Sequence, residues 1–260
     1  VPVAATYCPL CNSGVTFDRR VGDRVLDFGT SGRLYASNLV MYDRQTESLW
    51  PQLTGQASVG ALTGEKLDSH PMIPVAWEDF REAHPDALVL SRETGHSRNY
   101  GANPYTGYDN PDTGLLFHTD PGDDRLDLKA RILALTGDDE TLAVDREAVA
   151  DQKVLEFTLD DRDLVAWHIP GQASALDDST VAGGAEIGSV AVYVPVADGQ
   201  HLTFTADNGE FTDAETRTTW NILGEATDGP LAGQTLEAVP FIDTFWFTWA
   251  TFQPDTRVVP

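Results

Sequence analysis

Cys8 and Cys11 are the only cysteines in this chain of 260 residues, and they stand three apart in Cys8-Pro9-Leu10-Cys11. That spacing lets one turn aim both thiols at one point, and four kinds of chemistry use such a pair. A disulfide can close within the turn, although so short a loop removes little unfolded-chain entropy. A redox dithiol needs one thiol of lowered pKa, usually set by a helix N-terminus. Here Asn12-Ser13-Gly14 and a strand-like run follow the pair, and no helix does. A soft metal, copper or zinc, takes thiolate ligands, and a Cys-Pro-x-Cys turn has the shape of a zinc knuckle. With no second cysteine pair, histidine or carboxylate must complete that site; His96 and His118 flank a segment that occurs once in the chain and are the candidate third ligands. Finally, the two thiols can simply be buried and free.

The segment Gly95 to Tyr108 is dense in Tyr, Gly and hydrogen-bonding groups and has neither helical nor strand period. It reads as an ordered loop packed by its own aromatics, or as a loop that faces a ligand or partner. In the second case Arg98 offers a cation, Tyr100 and Tyr105 offer contact area, and Asn103 offers an amide. Ser31-Gly32-Arg33 lacks the Gly-x-Ser-x-Gly frame of a nucleophile elbow and reads as a turn between strands. Asp43-Arg44 before Thr46 reads as a turn with a local ion pair. No paired acid and base stand at a spacing that defines a reaction, so the sequence assigns no enzyme class.

The elements that must position these groups are short. Val15–Phe17, Arg24–Phe28, Leu39–Tyr42, Val154–Leu159, Leu164–His168, Val190–Val194 and Leu202–Thr205 read as strands. Gly22-Asp23 and Asp198-Gly199 read as hairpin turns. Three short helices are expected, near Trp77–Ala83, Asp145–Gln152 and Phe245–Phe252, the last the most apolar. The fold class is therefore mainly β with a few short helices (α+β). Gly55–Val89 laid over Gly224–Val258 at an offset of 169 matches at twelve of thirty-five positions, Trp77/Trp246 among them. The expectation is two related β-rich units from an internal duplication, residues 1–121 and 122–260. The thiol pair belongs to the first unit alone, since Ile169-Pro170-Gly171-Gln172 stands at the equivalent place. The Gly-rich Gly55–Gly64 and Gly224–Gly233 lack the Lys-Ser/Thr of a phosphate loop and read as turns that only glycine fits.

The formal charge is −24, from 41 acidic and 17 basic residues spread along the chain. Such a surface repels itself in dilute buffer and is relieved when molar salt shrinks the screening length to about 3 Å. A halophilic source is the expectation. Nucleic acid is not a partner for this charge, and no apolar run is long enough for a transmembrane helix. The chain opens on Val1-Pro2-Val3-Ala4, the middle of a strand, so a fragment or a processed form that has lost a leader is an expectation too.

Tyr7-Cys8-Pro9-Leu10-Cys11-Asn12-Ser13, Phe28–Tyr35, Asn38–Arg44, Ser48-Leu49-Trp50, Tyr100–Tyr105 and Phe245–Ala250 together resemble the DUF3179 family over nearly the whole chain. The resemblance implies no established activity. It implies an exported or lipid-anchored protein, the lipid anchor upstream of the given sequence, hence an extracytoplasmic setting. It also implies an earlier strand–helix stretch, whose counterpart here is Ala130–Asp163 of the second unit only, so a metal ligand from that stretch would be missing beside the cysteines. Two functions follow as expectations. One is a thiol site, Cys8 and Cys11 holding copper or zinc or closing as a disulfide or redox pair. The other is an extracellular binding or self-assembly module, in which the cysteines staple a turn and the Tyr-rich loop meets a protein partner.

Overall fold

Strand-forming residues on both sides of Cys8–Cys11 fold back on each other and place the thiols at a hairpin tip. The computed structural model describes residues 1–260. Strand β1 (Val3–Cys8) pairs antiparallel with β2 (Ser13–Asp18), from Val3 opposite Asp18 to Cys8 opposite Ser13. A two-residue ribbon, β3 (Arg20–Val21) and β4 (Arg24–Val25), turns at Gly22, whose φ is +59°. Then β5 (Phe28–Tyr35), β6 (Asn38–Asp43) and β7 (Leu49–Pro51) form an antiparallel sheet. Ser31-Gly32 is not a turn between strands, because the register shifts between Thr30 and Arg33 and the pair bulges within β5. The short β8 (Ser69–His70) lies beside β2. Helix α1 (Trp77–Ala83) buries none of its residues, and Trp77 is 54% exposed.

The next regular element is β9 (Arg131–Thr136), a hairpin with β10 (Thr141–Asp145) that leads into α2 (Arg146–Gln152). Asp145 caps α2 by accepting the Glu147 N–H, which satisfies one orphan donor of the first turn. β11 (Val154–Leu159), β12 (Arg162–Ile169) and β13 (Ser189–Tyr193) form a three-stranded antiparallel sheet. A second ribbon, β14 (Val196–Ala197) and β15 (Gln200–His201), precedes the meander β16 (Phe204–Asp207), β17 (Glu210–Asp213), β18 (Thr219–Trp220) and β19 (Ala226–Asp228). The chain closes with β20 (Ile242–Phe245), α3 (Trp246–Phe252) and β21 (Arg257–Val259). The last sheet has the order β20-β9-β10-β21, with β21 parallel to β10. The protein is mainly β with three short helices.

Hydrophobic burial divides among several centres. Phe17 of β2, Met41, Trp50 and Leu67 pack together at the β5–β7 sheet, and Trp167 of β12 and Tyr193 of β13 pack with Phe211 and Trp220 of the β16–β19 meander. Trp246 and Trp249 of α3 pack on Ile132, Ala134 and Ala143 of the β9–β10 hairpin. The same local bonds occur twice. Trp50 Nε1 donates to Asp43 at 3.0 Å, and Trp220 Nε1 donates to Asp213 at 3.0 Å. Leu67 N–H reaches Gly55 O at 3.0 Å, and Leu236 N–H reaches Gly224 O at 2.8 Å. Gly60 and Gly229 have φ of +111° and +102°, and a Cβ there would strike the backbone of Ser48 or Thr218; both reasons select glycine. The ion pair expected between Asp43 and Arg44 is not formed. Asp43 points inward to Thr46 and Trp50, whereas Arg44 lies over the Tyr42 ring.

Candidate functional site

The turn Pro9–Asn12 closes through Cys11 N–H to Cys8 O at 3.2 Å, and Asn12 takes a left-handed φ of +53°. This brings the sulfurs to 3.1 Å as free thiols. They are sealed from solvent, Cys8 at 1% and Cys11 at 0% exposure. Leu10, Tyr108, Leu176, Phe245 and Phe247 surround them.

The second wall of the site is the β5–β6 hairpin turn, Ala36-Ser37. Both residues have positive φ, +48° and +62°, as a two-residue loop between twisted strands requires, yet neither is the Asn or Gly that favours it. Such residues carry a cost of about 1–3 kcal/mol each and persist where the surroundings fix them. Ser37 is fixed by Thr119 Oγ1 at 2.7 Å and by Phe117 O at 3.3 Å. Its carbonyl lies 3.3 Å from Cys11 Sγ and 3.8 Å from Cys8 Sγ. The next residues supply donors: Leu39 N–H to Cys8 Sγ at 3.4 Å and Asn38 Nδ2 to Cys11 Sγ at 3.3 Å.

The two sulfurs are thus unequal. Donation from the Cys11 thiol, with the backbone N–H groups of Leu39, Cys11 and Leu10, outweighs burial and pulls the Cys8 thiol down to about 7. Burial, and then the neighbouring Cys8, push the Cys11 thiol up. A cradle of N–H groups does for Cys8 what a helix N-terminus does in other reactive dithiols. The Thr248 hydroxyl beside Cys11 is fully buried and has no other hydrogen-bond partner.

Distant segments lock the turn. Cys11 O accepts Phe245 N–H at 3.0 Å and Thr244 Oγ1–H at 2.8 Å. Asn12 Nδ2 donates to Asp243, which also holds Arg131 at 3.3 Å and Arg146 at 3.1 Å. Tyr108 O–H donates to Leu10 O at 3.1 Å. The buried Lys129 ammonium sits over the Tyr108 ring and donates to Tyr108 O, Asn110 O, Thr113 Oγ1 and Gly114 O, so one cation orders the loop covering the turn.

Of the residues singled out from sequence, only Cys8 and Cys11 meet at one centre with Tyr105 at its edge. Asn103 is buried and holds the loop, bonding Ser179 O, Asp178 O and Tyr105 N–H. His96, Arg98 and Tyr100 line an open surface recess instead. His118 is exposed on the strand of chain that fastens Ser37, and no three His, Cys, Asp or Glu side chains gather to hold a metal ion. The expected third ligand is therefore not brought to the sulfurs. Sequence reasoning did not reach Ser37, Asn38, Lys129, Asp243 or Thr248, and named Tyr108 only as the end of the Tyr-rich segment. Their only signal was that some stand in the stretches carrying the family resemblance.

Fold and site define a β-rich α+β protein with one buried, asymmetric dithiol. The chain belongs to the family described as "Protein of unknown function (DUF3179)", which matches residues 1–256. No curated protein and no solved structure matches it.

Proposed function

We propose that Cys8 and Cys11 form a working dithiol–disulfide couple. The observation that carries this reading is the pair of free sulfurs at 3.1 Å, and it is supported by the N–H groups that lower the Cys8 thiol and the burial that raises the Cys11 thiol. In exchange chemistry the low-pKa thiol attacks or leaves and the second thiol closes the ring. Closure needs only about 1 Å of further approach to reach the disulfide length. A zinc site asks the opposite: with Zn–S near 2.3 Å and tetrahedral angles the sulfurs stand about 3.8 Å apart. Copper or zinc would also find no third side-chain ligand among His, Cys, Asp or Glu at this turn.

The couple belongs, in this reading, to an exported protein of a saline environment, where the charge of −24 is tolerated and disulfides persist. The recurring bonds around Trp50 and Trp220 support an origin by duplication, after which one half gained the thiols. The test is an equilibrium titration of the full chain in dithiothreitol redox buffers, read by intact mass. A reversible loss of two hydrogens at one midpoint is expected. A folded pair that stays reduced under every buffer removes the proposal.

A further inference from the structure

The burial of the pair limits what can oxidise it. Thiol–disulfide exchange passes through a mixed disulfide, with the incoming sulfur in contact with the attacked one and its substituent still attached. Around Cys8 that volume is taken by Ser37 and Leu39 on one side and by the Leu10–Tyr108–Phe245 packing on the other. With Cys8 at 1% and Cys11 at 0% exposure, no macromolecular or aromatic disulfide reaches either sulfur of the folded chain. An oxygen donor of two heavy atoms needs only a small local opening of this packing, since one oxygen touches sulfur and the rest departs as water.

We propose that the dithiol reduces a small hydroperoxide, hydrogen peroxide being the simplest, with Cys8 as the attacking sulfur and Cys11 as the resolving one. The inference rests on the dithiol–disulfide reading and names its substrate class. Cys8 thiolate attacks one peroxide oxygen; the S–O bond forms, the O–O bond breaks, and the departing hydroxide takes up the proton that Cys8 released. Cys8 is then a sulfenic acid. The Cys11 thiol attacks the Cys8 sulfur, the S–S bond forms and the S–O bond breaks. The leaving hydroxide takes the Cys11 proton and departs as a second water. Sulfur has lost two electrons and peroxide has gained them, so each chain turns over once; renewal by a small aliphatic dithiol such as dithiothreitol waits on a wider, slower opening of the turn.

The geometry assigns the roles. Leu39 N–H and Asn38 Nδ2 donate to sulfur, one to each thiol. The Ser37 carbonyl lies nearer Cys11, 3.3 Å against 3.8 Å, and so keeps the proton there until the second step. Cys11 stands 3.1 Å from the sulfur it must attack, so resolution needs no rearrangement of the fold.

The experiment exposes the reduced, folded full chain separately to hydrogen peroxide and to the aromatic disulfide DTNB, with intact mass as readout. Peroxide is expected to remove two hydrogens from the wild type. In Cys11→Ser it is expected to add one oxygen, which dimedone traps at Cys8 once the chain is unfolded in its presence, and in Cys8→Ser to leave no trapped adduct. DTNB is expected to label the thiols only after unfolding. Closure by DTNB on the folded chain as fast as by peroxide overturns the size argument and leaves the redox couple standing. So does peroxide inertness in a protein that dithiothreitol buffers still titrate. Inertness to both takes the dithiol reading down with it. Should Cys11→Ser fail to fold, the wild type unfolded in dimedone at the shortest times after peroxide, with capture at Cys8 and not at Cys11, decides the assignment.

Discussion

The side-chain amide of Asn38 donates to Cys11 Sγ at 3.3 Å and to Gln52 Oε1 at 2.9 Å, while its carbonyl accepts Leu53 N–H at 3.0 Å. One buried amide therefore couples the dithiol to the start of the segment after β7. Asn38→Leu leaves the Leu53 N–H unmet in a dry interior, while Gln52 Oε1 keeps the Ser13 hydroxyl as donor. Each unmet group costs about 1–3 kcal/mol. Denaturant unfolding of the reduced protein is expected to show a loss in that range. A change of a few tenths would mean water replaces the amide.

Reactivity carries its own pH signature. The Cys11 thiol and three backbone N–H groups hold Cys8 near 7, below the ~8.5 of a free cysteine. The thiolate fraction rises as pH rises through the folded value, so oxidation of the folded, reduced chain by hydrogen peroxide is expected to reach half its plateau rate near pH 7. Cys8→Ser should lack that limb. A midpoint at 8.5 or above would show that the N–H cradle does not act on the sulfur.

Asp43 and Asp213 offer a paired comparison. Burial pushes each carboxyl up, but the bonds from Trp50, Thr46 and Ser48, and from Trp220, Thr216 and Thr218, outweigh it and leave both below the usual value. A lowered folded pKa gives stability that is present above the unfolded value of ~3.9 and lost as pH falls through the folded one. Asp43→Ala and Asp213→Ala are each expected to cost about 1–3 kcal/mol at neutral pH, by similar amounts, and to flatten the acid limb of the unfolding curve. Very unequal losses would argue against a shared structural role in the two halves.

Asp243 neutralises two arginines at once, Arg131 and the buried Arg146, whose Nη atoms also donate to Ile187 O and Gly188 O at 2.6 Å. Asp243→Ala strands a buried guanidinium and frees Asn12 at the thiol turn. A loss of about 3–5 kcal/mol is expected in chemical unfolding, with Cys8 becoming open to DTNB. A variant as stable as the parent would place Arg146 in contact with water.

The surface charge predicts a salt response. At −24, repulsion acts over about 30 Å in ~10 mM salt and only about 3 Å at molar salt. The thermal midpoint is expected to climb between those conditions and level off as screening completes. A midpoint independent of salt would remove the halophilic reading.

The sequence by itself determined the strand-rich class, the hairpin turns at Gly22 and Gly199, the three helices, and the greater burial of α3 over α1. Those features follow from short-range causes: apolar alternation, turn residues, and capping groups such as Asp145. It also set Cys8 and Cys11 at one turn, because a spacing of three residues fixes their approach within the local backbone. Only the tertiary structure decided what those thiols are. The inequality between them comes from Ser37, Asn38 and Leu39 on another hairpin and from Thr248 on the last helix, up to 237 positions away from Cys11. His96 and His118, which the sequence offered as ligands, lie in solvent for the same reason. Long-range packing, which no local pattern encodes, chooses the neighbours of a buried sulfur, and burial with those neighbours sets its charge.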